Sequence, residues 1–156
     1  MFRQWVGLLE KEGWKITMRE TEAAVPEEIS DRYPAPAAWA AFIAPVSECV
    51  SGDGQVRFLT FEDYQTQRDG FRWNEPELRS TEAAGNDHEM RAAVTGFWNY
   101  HLPIVHCTGD PYAYYAIDTQ FGSVVYGEAP EFETAEVAAE SFEQFIQKLI
   151  DGAIKL

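Results

Sequence analysis

His101, His106 and Cys107 fall within seven positions of one another and are the residue types best suited to reactive chemistry. A thiol beside an imidazole can form a nucleophile and its base, and both side chains ligate metals. A metal site, however, needs several ligands converging on one point. His106 and Cys107 are neighbours in a segment patterned as a strand, which turns them to opposite faces, while His101 ends a helix. The expected arrangement is a buried thiol with two hydrogen-bonding or exposed imidazoles, and no catalytic residue, metal or cofactor. Cys107 paired with His101 across space is the reactive alternative, and no local motif supports it. Asp110 and Asp118 flank one strand with the same parity, and Glu62-Asp63 follows another. An acid/base pair would need a cleft and two different environments, and Asp118 reads instead as a turn residue. Ser51-Gly52-Asp53-Gly54 carries an acid and lacks a following Lys-Ser/Thr, so it is a turn and not a phosphate loop.

The remaining candidates are suited to binding. Tyr112 and Tyr114 share one strand face and Tyr115 takes the other. If helices cover one face of the sheet, the tyrosines of the opposite face are exposed, where Tyr and Trp are favoured as interface hot spots, or else these rings complete a core or shield the sheet's open face. Trp73, Asn74 and Glu75 form a second candidate patch. Charge adds a third indication. The chain has 156 residues, 26 Asp+Glu against 12 Lys+Arg, and a formal net charge of −14. No Lys or Arg occurs from Ala92 to Gln147, where Asp110, Asp118, Glu128, Glu131, Glu133, Glu136, Glu140 and Glu143 are all acidic. Such a run suits a solvated face, or a surface presented to a basic partner. It argues against nucleic acid and against anionic lipid, both of which need basic groups.

The elements that must position these residues follow from periodicity. Residues 2–12 read as an amphipathic helix ended by Gly13, and Pro26 with Glu27 and Glu28 starts a short one. Trp39, Phe42, Ile43 and Val46 mark a helix face that Pro45 shortens or kinks. Val56 to Phe61 is a strand candidate, 62–70 a loop or short helix, and Asn74 with Pro76 opens another helical stretch. Met90, Val94, Phe97 and Trp98 give a helix over about 86–99. Leu102–Cys107, Tyr112–Asp118 and Ser123–Gly127 then alternate as strands. Ser141 and Gln144 form a capping box before a last helix. With 46% hydrophobic residues the chain is folded, and segregated helices and hairpins predict one α+β domain over 1–156, with helices on one sheet face. Cys49 and Cys107 form no CxxC unit. The short apolar stretch after Arg3 does not suit a signal peptide, and no apolar run reaches membrane-spanning length. A reduced, cytoplasmic setting is expected.

This order of elements resembles the SUKH superfamily of cell-wall-assembly regulators and bacterial toxin-immunity proteins. The residues that carry the likeness are the Trp39/Phe42/Ile43 helix after a Pro connector and the Val56–Phe61 strand. They continue with Phe97-Trp98-x-x-His101-Leu102-Pro103-Ile104, Tyr112–Asp118, Gly122-x-Val124-Val125-Tyr126-Gly127 and Ser141-Phe142-x-x-Phe145-Ile146. The likeness spans about residues 26–150, and the long 62–101 segment departs from it. The resemblance implies a mainly antiparallel sheet of about six strands with helices on one side. It also implies binding without catalysis, most specifically an immunity protein that neutralises a nuclease-type toxin. On that reading Trp73, Glu75, Tyr112, Tyr114, Asp118 and Glu128 are the candidate contacts with a protein partner, a basic toxin domain. An intracellular regulatory or scaffold module is the alternative, and an enzyme or small-ligand protein using Cys107, His101 or Asp118 a third reading.

Overall fold

The first amphipathic run folds as α1 (Phe2–Lys11), and Gly13, at φ +86°, turns the chain into β1 (Lys15–Met18). Only a residue tolerant of positive φ makes that turn without strain. The computed structural model describes residues 1–34, 36–65 and 70–156. After β1 come α2 (Glu27–Arg32), α3 (Ala37–Ile43), β2 (Val46–Val50) and β3 (Val56–Phe58). Three helices follow, α4 (Phe61–Gln65), α5 (Glu75–Ala84) and α6 (His88–Trp98). The chain ends with β4 (His101–Cys107), β5 (Ala113–Asp118), β6 (Val124–Glu128), β7 (Glu136–Ala139) and α7 (Phe142–Ile150). The fold is α+β, as expected.

The strands form one seven-stranded antiparallel sheet whose spatial order, β1 to β7, is the order of the chain. That is one strand more than expected. Val46 does not belong to the α3 face: it opens β2, pairing with Met18 of β1. The strand expected over 56–61 stops at Phe58. Asp63 accepts from the Thr60 N–H at 2.8 Å and from the Thr60 hydroxyl at 3.1 Å. This local bonding turns Phe61 into α4, because a carboxylate three residues on satisfies the donors at a helix start. At α7 the Ser141 hydroxyl accepts from the Gln144 N–H at 3.1 Å, and the Gln144 side chain accepts from the Glu140 N–H at 2.6 Å. The expected cap is present, with its return bond shifted by one residue.

The sheet separates two apolar clusters. On one face Trp5, Leu9, Trp39, Ile43, Phe142, Phe145, Ile146 and Leu149, from α1, α3 and α7, meet Phe58, Leu102, Tyr115, Ile117 and Val124. Trp5 lies edge-on to Phe42 and Phe58, with ring centroids 5.0 and 4.9 Å away. On the other face Val94 and Trp98 of α6, with Phe132, cover Tyr112, Tyr114, Ala116 and Val125. Helices therefore pack on both faces, not on the one expected. The 62–101 segment supplies α5 and α6, which form the second layer. Tyr114 is fully buried, its hydroxyl bonded to the Phe132 carbonyl, and Tyr112 and Tyr115 are each 8% exposed. The expected exposed tyrosine face is absent because α6 lies on it.

Candidate functional site

The N-terminal end of α5 faces β3 and the end of β4 across a cleft of about 490 Å³. Arg57 comes from β3, Arg72 and Phe71 from the approach to α5, Glu75 and Arg79 from α5 itself, and Tyr112 from the entry to β5. Glu75 organises the arginines. Its two carboxylate oxygens accept from the Arg72 Nε, at 2.6 Å, and the Arg79 Nε, at 2.9 Å. Arg79 meets Glu75 as a helical neighbour four residues on, and a turn in which the Glu75 N–H donates to the Arg72 carbonyl at 3.1 Å brings Arg72 to the same carboxylate. Burial alone would raise the Glu75 carboxyl, but the two guanidinium hydrogen bonds and charges hold it below its ordinary range. Arg79 lies over the Tyr112 ring, 4.5 Å from its centroid, and Arg57 lies 5.2 Å from that of Phe71. Arg57 also donates to Asp63 at 3.1 Å. Each arginine is thus held by a carboxylate, and Arg57 and Arg79 are also backed by an aromatic ring.

His106 lies beneath this cleft, fully buried, hydrogen-bonded through Nδ1 to the Tyr112 hydroxyl at 2.6 Å. Burial pushes the ring down to about 4, with the Trp73 carbonyl and the Glu75 charge pulling the other way. The imidazole is neutral at pH 7, and its tautomer sets which of Nδ1 and the Tyr112 hydroxyl donates. Cys107, its neighbour, points to the opposite face and packs against the larger cluster. Burial pushes the Cys107 thiol up to about 11 and the Cys49 thiol up to about 12, and both are free thiols. His101 and Cys107 occupy opposite ends of β4, about 20 Å apart at the rise of an extended strand. The one pairing that could have made a nucleophile is therefore not brought together. Among the described residues no group of three or more His, Cys, Asp or Glu is placed to hold a metal ion.

The six candidate contact residues scatter. Glu75 and Tyr112 meet in the cleft. Trp73 is half-buried behind it, edge-on to Tyr64 with centroids 5.6 Å apart. Tyr114 is in the core. Asp118 caps its turn, accepting from the Gln120 and Phe121 N–H groups at 2.9 and 3.3 Å, and lies 3.8 Å from His101 Nε2. Glu128 is exposed at the end of β6 and accepts from the Tyr126 hydroxyl at 2.7 Å. It borders a second, shallow groove of about 330 Å³ between the ends of β6 and β7, together with Tyr126, Glu131 and Glu136. Glu133 lies on the same loop but turns inward, accepting from Ser80 at 2.8 Å and the Trp98 indole at 2.9 Å. The loop is thereby tied to α5 and α6, while its other carboxylates face solvent.

The arginines are the residues that reading the sequence missed. Their signal was the i, i+3, i+7 arrangement around Glu75; Arg57 sits on a distant strand and gave none. No family model, curated protein or solved structure matches the chain. No helix among the described residues is long and apolar enough to cross a membrane.

Proposed function

We propose that the protein is a non-enzymatic binding domain of the SUKH type, an immunity protein that occludes a basic, nuclease-type toxin domain by direct association. The observation that carries this reading is the groove where Glu128, Glu131 and Glu136 stand exposed around the Tyr126 ring. Asp110, Glu140 and Glu143 are exposed too, in a stretch from 92 to 147 with no Lys or Arg. A nuclease cleft that holds phosphate is positive, so opposed fields speed encounter and exclude wrong partners. Tyr126 adds contact area at low entropic cost. Tyr112 and Tyr114 have no part in this surface, because the sheet's second face is covered.

The test is association of the full chain with the toxin domain encoded beside it, measured at rising salt. Tight binding that weakens with salt, and weakens further in the triple variant E128Q/E131Q/E136Q, is expected. Failure to bind or protect against any neighbouring toxin domain would overturn the reading.

A further inference from the structure

We propose that the arginine-lined cleft at the start of α5 is an oxyanion site, taking the phosphate or carboxylate group of a small polar ligand. The chain carries a net charge of −14 and only eight arginines, yet Arg57, Arg72 and Arg79 line this one cleft. Arg72 and Arg79 each commit only Nε, and both commit it to the same carboxylate, Glu75. Their terminal Nη groups make no hydrogen bond among the described residues. A guanidinium has five N–H donors in a planar fork, so each retains its terminal pair for a bidentate acceptor. Charge points the same way. Glu48, also on the cleft, pairs with Lys15 at 2.7 Å, and Arg57 pairs with Asp63. One cation of the Arg72–Glu75–Arg79 group is left in excess, inside an otherwise acidic molecule.

The forks are also pre-set. Glu75 sits on the first turn of α5, Arg79 is stacked on Tyr112, and Tyr112 is itself fixed by the buried His106. An anion arriving there meets donors that need little ordering, which is where binding energy is usually lost. The cleft volume falls in the small-ligand range of about 300–1,000 Å³. Gln55 and Thr108 on the opposite wall add polar lining. This site is separate from the acidic groove at β6 and β7 and shares no residue with it.

Arginine Nε–Hε resonances of the full chain, titrated with inorganic phosphate and separately with acetate, test the proposal. Saturable shifts at Arg72 and Arg79 with either anion are expected, and the tighter probe identifies the ligand's headgroup. R79Q and R72Q should each weaken that binding about tenfold or more, with thermal midpoints recorded to confirm folding. R91Q alters an arginine outside the cleft that donates to the Gly85 carbonyl, and should leave binding unchanged. Shifts that fail to saturate with both anions overturn the proposal. So does binding unaffected by R72Q and R79Q, or weakened equally by R91Q.

Discussion

His106 is the residue whose environment most changes its chemistry. Its folded pKa of about 4 lies below the ordinary imidazole value, so the unfolded chain binds the extra proton first. Its contribution to stability is fully present above about pH 6.5 and declines as pH falls towards 4, by about 3 kcal/mol in all. Urea unfolding at intervals across that window should show the decline, and His106→Gln should lack it; equal slopes would sink the idea. Glu75 behaves in the usual carboxylate sense. Its stabilising pairing holds above the ordinary carboxylate pKa and is lost as pH falls through its lower folded value. Glu75→Gln removes one charge between two guanidiniums and should cost about 1–2 kcal/mol in chemical denaturation. Glu75 and Tyr112 were legible from the sequence as candidates, though for contact and not for the support they give the arginines. Asp118 was legible as a turn residue, because its side chain bonds locally and local bonding leaves a mark in sequence.

The helices with a full apolar period, α1, α6 and α7, were readable because each buries a face at regular spacing. β1, β2 and β7 were not. Lys15–Met18 and Glu136–Ala139 are four residues each and lie at the two sheet edges, where pairing on one side defines them more than composition does. β2 was hidden because Val46 continues the apolar spacing of α3. Lys148 of α7 donates to the Ala138 carbonyl at 2.9 Å, which blunts the β7 edge. Among the glycines the closest approach is at β6, where a Cβ on Gly127 would lie 2.5 Å from the Tyr114 hydroxyl oxygen and 2.6 Å from its ring. Gly127→Ala must push the phenol off the Phe132 carbonyl, and a loss of about 1–3 kcal/mol by thermal or urea unfolding is expected. Ser141→Ala should cost about 1 kcal/mol through the lost α7 cap, measured the same way. A Gly127→Ala protein as stable as wild type would show that Tyr114 has room to move.

For the whole molecule, charge is distributed unevenly. Residues 92–156 carry nine acids and two bases, and both of those bases are lysines near the end. If the exposed carboxylates of the β6–β7 groove repel one another, E128Q/E131Q/E136Q should raise the thermal midpoint at low salt and lose that advantage at high salt. A midpoint difference independent of salt would count against it. The overall class, α+β with hairpins and covering helices, was visible from the order of periodic segments. The second helical layer was not, because nothing in α5 or α6 alone says which face of the sheet each will cover. The strand order has a further consequence for how the molecule is made. Each strand after β1 neighbours the one translated just before it, so a chain leaving the ribosome finds a template for each of these strands already in place. From β2 onward the sheet can grow from one edge to the other at the pace of synthesis, each strand adding to one already made.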